Sequence, residues 1–132
     1  DDVWYEVKTI NSGKSTVRIS SLEQLDSDID GYLVVYDLEK MSPSFNGLKL
    51  NQLVQKLLHK MGSANREEFI SKLSLYNYDF SPNYDNFVYS VVGCSMYLVK
   101  EGFPRLKRSD IPMEINKVQY DINLSELDDY KL

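Results

Sequence analysis

The hydrophobic positions from Trp4 to Ile10 are β-branched or aromatic, and the stretch contains no glycine or proline. With a turn signal directly afterwards, this pattern predicts a β-strand. Because successive side chains of a strand point to opposite faces, the stretch has two distinct faces. One face carries a charged pair: Trp4, Glu6, Lys8 and Ile10. The other face is uncharged, and we expect it to be the buried one: Val3, Tyr5, Val7 and Thr9.

Two more strands are predicted in the first third of the chain. Ser15–Ser20 alternates with Val17 and Ile19 on one side, and it follows a tight turn at residues 11–14. This arrangement predicts a β-hairpin with Trp4–Ile10. Tyr32–Glu39 is a near-continuous apolar run, which is typical of a central strand buried on both faces.

Two helices are predicted in the middle of the chain. Apolar residues from Leu50 to Met61 recur with the helical period, and Gly62 stands where such a helix would end. A second helix is predicted to start at the polar residues from Asn65 to Glu68. Its expected inward side chains are Phe69, Ile70, Leu73 and Tyr76.

The last part of the chain reads as strands again. Phe87–Val92 and Ser95–Val99 flank Gly93-Cys94, where we expect a hairpin turn, and alternation from Val118 to Leu124 predicts a final strand. The sequence therefore predicts a single α/β domain over residues 1–132. It would have a mixed central sheet that starts with a β-hairpin, two helices in the middle of the chain, and a C-terminal hairpin and strand.

Composition limits the class of protein. A hydrophobic content of 42% over 132 residues is typical of one globular domain with its own core. The net charge of −5 argues against a generic nucleic-acid binder, although a local basic patch would be compatible with it. The single cysteine, Cys94, forbids an internal disulfide, and no long apolar run is present. These features favour a reducing, cytoplasmic setting without a membrane anchor.

Glu6 and Lys8 are the best candidates for chemistry. A carboxylate can bind a hard divalent cation, and a neighbouring lysine can position a water molecule. The spacing alone is weak evidence, because 20 acidic residues and 11 lysines give roughly 1.7 acid-x-Lys triplets by chance. A second triplet does occur at Asp129-Tyr130-Lys131. The alternative is a solvated strand face with a weak ion pair.

Several segments together resemble a known family. They are Glu6-Val7-Lys8-Thr9, residues 17–25, Tyr32-Leu33-Val34-Val35, Gly102-Phe103-Pro104-Arg105 and residues 118–122. They resemble the C-terminal part of an uncharacterised bacterial family of PD-(D/E)XK nuclease superfamily members, which is associated with restriction and defence operons. The resemblance implies a partial restriction-endonuclease-like core and a magnesium-dependent DNA endonuclease that hydrolyses phosphodiester bonds.

The resemblance also assigns roles. Glu6 would be a ligand of Mg²⁺, and Lys8 would orient the attacking water and stabilise charge at the phosphate. A helix after the lysine strand often brings a polar residue toward the metal, which makes Glu23 and Gln24 second-tier candidates. From the residues alone, the same segment reads as a short helix with a capping box, Ser20 with Glu23 or Ser21 with Gln24.

The chain departs from the family pattern in one respect. The first acidic residue of the motif belongs on a strand before the Glu-x-Lys strand, and Asp1 and Asp2 are too close to Glu6 to form one. Either the catalytic aspartate is absent, or the chain is a fragment of a longer protein. We expect it to be the C-terminal portion of a longer protein and to be inactive as an isolated fragment.

Four basic residues are candidates for contact with DNA. Arg18 is predicted to reach the Glu6 face or a phosphate, or else to pair across strands. Arg105, Lys107 and Arg108 form a basic cluster that would meet the phosphate backbone or lie in a solvated loop. The rival class of function is a non-catalytic module. It would use the tyrosine-rich surface and the C-terminal hairpin to form a homodimer or to hold a partner protein of a defence operon.

Overall fold

The computed structural model describes residues 2–132. Its strands and helices are, in chain order, β1 (Tyr5–Asn11), β2 (Thr16–Ile19), β3 (Gly31–Met41), α1 (Leu50–His59), α2 (Ser63–Leu75), β4 (Val88–Val99) and β5 (Tyr120–Asn123). Short 3-10 turns occur between them, including Leu22–Gln24 and Pro82–Asn86.

The predicted fold class is confirmed. A three-stranded mixed sheet has the order β1-β3-β4, and a separate antiparallel pair joins β2 to the C-terminal strand β5. The two helices lie in the middle of the chain, and β3 holds the central position that the apolar run Tyr32–Glu39 predicts.

The chain divides into two compact units. The first unit contains the described residues up to Leu38 together with Val91–Leu132, and the second contains Glu39–Ser90. The core of the first unit is a cluster of buried residues from the sheet, the β2–β5 pair and the loops around them: Val17, Ile19, Leu25, Leu33, Val35, Tyr97, Val99, Phe103, Ile122 and Leu127.

The predicted hairpin between the first two strands is wrong. The turn itself is present, with Gly13 at a φ of 89°. β1, however, pairs in parallel with β3, and β2 pairs antiparallel with β5. Val17 and Ile19 of β2 are buried in the core with Ile122 of β5. A local turn reverses the chain, but burial of this apolar face determines which strand β2 pairs with.

The predicted turn at Gly93-Cys94 is also wrong. Val88–Val99 is one unbroken strand that passes through both residues. Gly93 lies within it with open space on the side where a Cβ would stand, apart from ordinary contact with Asp37 of β3. A glycine between two apolar runs is a turn signal in the sequence, but glycine also occurs inside strands where neighbours come close.

The face of β1 that turns inward is the opposite of the expected one. Val7 is 55% exposed and Tyr5 is also exposed, whereas Trp4 and Ile10 pack against the core of the first unit. Both faces of β1 carry apolar residues, so alternation alone does not identify the inner face. The inner side is the one that carries Trp4 and Ile10, which pack against the core cluster.

α1 begins at Leu50, as predicted, but α1 ends and α2 begins at other residues than predicted. Gly62 does not terminate α1 but is the N-cap residue of α2. On α1 only Val54 is fully buried, and the rest of the apolar stripe is half-buried or exposed. α2 has no fully buried residue, and Ile70 and Tyr76, predicted to face inward, are exposed.

Candidate active site

A groove of about 360 Å³ in the first unit contains the first of the two predicted catalytic residues. β1 and the preceding Trp4 supply one side, and the 3-10 turn Leu22–Gln24 with the residues that follow it supplies the other. Its lining residues are Trp4, Tyr5, Glu6, Glu23, Gln24, Asp26 and Ser27. The parallel register places Glu6 beside Leu33 and Lys8 beside Val35, so the two charged residues stand next to core positions of β3.

Glu6 and Lys8 form an ion pair at the edge of the core. The Lys8 Nζ lies 3.6 Å from Glu6 Oε1. The side chain of Lys8 is only 15% exposed, and that of Glu6 is 24% exposed. Because β1 turns this face inward, the pair does not lie on the open, solvated strand face that the alternative interpretation requires. Partly buried charges interact more strongly than solvated ones.

Gln24 reaches the same lysine from the 3-10 turn. Its Oε1 accepts a hydrogen bond from Lys8 Nζ at 2.7 Å and another from the Ser20 amide at 2.9 Å. The ammonium group of Lys8 is therefore held between a carboxylate and an amide oxygen. The capping box does not form as predicted, since the N-cap residue Ser21 makes no side-chain capping bond and Gln24 reaches back to Ser20 instead.

Glu23 and Asp26 bring two more carboxylates to the groove. Glu23 is exposed, as expected for a candidate that touches solvent or a ligand. The sequence patterns do not identify Asp26 as a lining residue, because it belongs to Asp26-Ser27-Asp28-Ile29-Asp30-Gly31, which is typical of an acidic turn. The proximity of this acidic turn to Gln24 in the sequence was the available signal.

The predicted basic cluster is anchored next to this groove. Arg105 Nη1 donates to the Leu25 carbonyl at 2.7 Å, and the Arg108 amide donates to Asp26 Oδ2 at 2.9 Å. The Lys107 amide is bound by Asp110 within the same loop. The side chain of Arg108 stays exposed, whereas the guanidinium of Arg105 is used in a contact within the unit.

Tyr120 holds the same loop from the side of β5. Its phenolic oxygen accepts a hydrogen bond from the Leu106 amide at 3.3 Å. Burial raises the pKa of Tyr120 above its ordinary value, because the phenolate would lose its hydration.

Arg18 lies elsewhere on the unit. Its Nε donates to Asp121 Oδ1 at 3.0 Å across the β2–β5 pair, where both side chains are exposed. The hydrogen bond and the charge of Asp121 raise the pKa of Arg18. The structure thus places Arg18 in the cross-strand pair that the sequence offers as the alternative, and Arg18 does not line the groove.

No metal site is assembled from the side chains of the described residues. Residues 2–132 contain no cluster of three or more acidic, histidine or cysteine side chains with the geometry to hold a metal ion. Glu6 fits the chemistry of a single carboxylate ligand, which is compatible with Mg²⁺ because this ion often takes one or two carboxylates and completes its shell with water and substrate phosphates.

Residues 1–125 match a protein family described as "Putative PD-(D/E)XK family member, (DUF4420)". The chain belongs to this family. The resemblance seen in the sequence is thereby confirmed, and the fold is consistent with a partial nuclease-like core. No curated protein and no solved structure matches the chain.

Membership in DUF4420 indicates a nuclease-like, restriction-endonuclease-like function, for which DNA is the substrate that the family suggests. Nucleases of the PD-(D/E)XK type typically use divalent metals. Glu6-Val7-Lys8 has the spacing of the (D/E)XK part of the family name. In the described part of the chain, neither helix has the length and apolar character needed to cross a membrane.

Proposed function

We propose that this DUF4420 chain carries part of the active site of a magnesium-dependent DNA endonuclease that works in a cytoplasmic restriction or defence setting. The observation that carries the proposal is the fixed position of Lys8, whose ammonium group lies between Glu6 and Gln24, two residues that line the groove. A solvated surface lysine would not be held by two partners from different segments.

Glu6, Lys8 and Gln24 would divide the chemistry between them. Glu6 is the carboxylate that would bind Mg²⁺, and the ion when bound would polarise the phosphate and lower the pKa of a water molecule. Lys8 orients the attacking water and stabilises the negative charge that develops on the phosphate. Gln24 keeps the lysine in position, since its oxygen accepts from Lys8 Nζ.

The surroundings of the groove support contact with a phosphate backbone. Three carboxylates line the groove and would repel DNA unless a cation and basic side chains offset them. The Arg108 amide donates to Asp26 Oδ2, so the backbone of this loop contacts the acidic lining, and the Arg108 side chain is exposed. Arg108 and Lys107 are the proposed backbone contacts, and Arg105 supports their loop.

We propose that a second acidic ligand comes from a strand that adds to the free side of β1 in a longer protein. β1 is an edge strand in the order β1-β3-β4, so within residues 2–132 only one of its sides is paired. Glu6 is the single carboxylate on β1. Magnesium held by one protein carboxylate would bind weakly, and the 132-residue chain would therefore cleave DNA poorly by itself.

Two matched proteins test the proposal. The first is the 132-residue chain, and the second extends upstream to include an acidic residue on a preceding strand. We expect magnesium-dependent cleavage of duplex DNA and calorimetric metal binding only with the extended protein. In that protein Glu6→Gln and Lys8→Ala should each lower the cleavage rate by orders of magnitude. Asp129→Asn and Lys131→Ala, in the second acid-x-Lys triplet, are the matched controls and should leave the rate unchanged.

A non-catalytic binding module is the second candidate, favoured by the exposed outer face of β1. Val3, Tyr5 and Val7 are all more than half exposed, and the ring of Tyr5 stacks on Tyr32 at 5.3 Å. A folded extended protein that binds no metal and cleaves no DNA would favour this module. Robust cleavage by the 132-residue chain would instead refute the need for an upstream acid.

A further inference from the structure

One side of helix α1 carries a line of lysines. Lys49, at the N-cap position, is followed by Lys56 and by Lys60, at the C-cap position. At 100° per residue the three lie within about 40° of one another around the helix, and at 1.5 Å per residue they extend over about 16 Å. We call Lys49, Lys56 and Lys60 the lysine face. It borders a groove of about 620 Å³ that Gln52, Gln55 and Asp85 also line.

The lysine face is electrostatically unusual for this protein. The whole chain has a net charge of −5, yet residues 41–66 contain no aspartate or glutamate at all. The second unit has six lysines and arginines against five acidic residues, whereas the rest of the chain has nine against fifteen. Positive charge is therefore concentrated on α1.

The lysines of this face are not used inside the protein. Among residues 2–132, the ion pairs of lysines are Lys8 with Glu6 and Lys72 with Glu68, and the lysine face takes part in neither. The one carboxylate at the groove, Asp85, accepts a hydrogen bond from Asn51 at 3.2 Å. Three cations thus face the groove with one acid that already has a partner.

We propose that the lysine face binds the phosphate backbone of duplex DNA without reading its sequence. DNA carries one negative charge per about 1.7 Å of its axis, so cations spread along 16 Å can each meet a phosphate. Gln52 and Gln55 add amide donors of the kind that contact phosphate oxygens. The lining contains no phenylalanine, tyrosine or tryptophan, and its one aromatic ring is the imidazole of His59.

The packing of α1 argues against an anionic membrane as the partner. A helix that lies on a membrane inserts its apolar side into the lipid. On α1 the apolar side is turned into the second unit, where Val54 is buried and Leu53, Leu57 and Leu58 are half-buried. Only the charged side of the helix is available for a partner.

This inference goes beyond the proposed cleavage, because it needs neither Glu6 nor Lys8 nor a metal ion. The test uses the full 132-residue chain in EDTA, with a fluorescent 20-base-pair duplex of arbitrary sequence and anisotropy readings over a salt series. The variant is Lys49→Gln/Lys56→Gln/Lys60→Gln. The control, Lys14→Gln/Lys100→Gln/Lys117→Gln, removes the same charge from exposed positions of the first unit.

We expect the lysine-face variant to lose at least tenfold in affinity at low salt. The slope of log K against log salt should fall by about 2 to 3, at about 0.9 per phosphate contact. The control should change the affinity less than threefold. Single variants Lys56→Gln and Lys60→Gln, each expected to lower the slope by about 1, replace the triple variant if circular dichroism shows that it is unfolded.

Three results would overturn the proposal. Equal losses in the variant and the control would mean that only net charge matters. Absence of duplex binding by the unmodified chain at low salt would mean that the face serves another purpose. Binding of polyglutamate or of phosphatidylserine vesicles in preference to duplex DNA, with the same dependence on the lysine face, would assign it to an acidic protein or a membrane.

Discussion

Lys8 donates a hydrogen bond to Gln24 Oε1 at 2.7 Å, although the two residues lie sixteen positions apart in the sequence. The contact joins β1 to the 3-10 turn and fixes the lysine beside Glu6. The position of the proposed catalytic lysine therefore depends on a residue outside the Glu-x-Lys triplet.

Gln24→Ala should affect both stability and catalysis. It removes the acceptor of Lys8 Nζ and of the Ser20 amide. We expect a loss of about 1 to 2 kcal/mol in the free energy of unfolding, from urea titrations. In the extended protein that cleaves DNA, kcat should fall while KM changes little, because Lys8 is less well positioned without Gln24. Ser21→Ala is the control, since Ser21 makes no capping bond. Similar losses in Gln24→Ala and Ser21→Ala would contradict the positioning role of Gln24.

Substitutions of the two arginines of the basic loop should have different effects on stability and on DNA binding. Arg105→Ala removes the guanidinium that donates to the Leu25 carbonyl, and we expect a loss of about 1 to 3 kcal/mol in stability. Arg108 contacts Asp26 through its backbone amide, so Arg108→Ala keeps that bond. It should leave stability within about 0.5 kcal/mol and lower the salt slope of DNA binding by about 1. Denaturant titrations measure the change in stability, and anisotropy measures the change in DNA binding. A stability loss in Arg108→Ala and a lower salt slope in Arg105→Ala would refute this division of roles.

Sequence patterns predicted the positions of strands and helices better than the pairing of the strands. The apolar run of β3 and the helical period of α1 were strong enough to place both elements. The pairing of β1 with β3 and of β2 with β5 joins segments far apart in the chain, and a turn at Gly13 reveals neither. The inner face of β1 was also unpredictable from the sequence, because both faces of this strand carry apolar residues.

The site was predictable only in part. The Glu6–Lys8 pair follows from the alternation of side chains along a strand. The family resemblance pointed to Gln24, but the residues alone favoured a capping role for it. Asp26 and the lysine face were missed, because an acidic turn and a row of helical lysines both resemble ordinary solvated surface. Only the folded arrangement shows which charges already have partners.

Gly31→Ala should disturb the single tryptophan. A Cβ at Gly31 would overlap the indole ring of Trp4, whose Nε1 donates to the Ile29 carbonyl at 2.9 Å. We expect a loss of about 1 to 3 kcal/mol from overpacking and a shift in tryptophan fluorescence. Gly62→Ala is the control, since nothing lies near its Cβ position and its φ is −73°. An unshifted emission spectrum in Gly31→Ala would mean that Trp4 does not pack there.

Loss of the phenolic proton of Tyr120 should lower the free energy of unfolding in alkaline solution. Its pKa is raised in the folded protein by burial, so the unfolded chain loses its phenolic proton first. This contribution is fully present below the unfolded pKa of about 10 and is lost as pH rises through the folded pKa. Tyr120→Phe should lower stability at neutral pH, because the Leu106 amide loses its acceptor. It should also flatten the decline above pH 10 in urea titrations. The exposed Tyr76→Phe is the control, and an unchanged alkaline decline in Tyr120→Phe would contradict the prediction.

The antiparallel pairing of β2 with β5 affects how the protein can fold as it is synthesised. Arg18 and Asp121 are partners across this pair but are 103 residues apart. At about 5 to 20 residues per second, the ribosome needs roughly 5 to 20 s to make the second strand after the first. During that interval the apolar side chains of Val17 and Ile19 have no β5 to cover them. The nascent chain therefore presents an unpaired, partly hydrophobic strand that a chaperone can bind, and the core beneath the groove is completed only when β5 emerges.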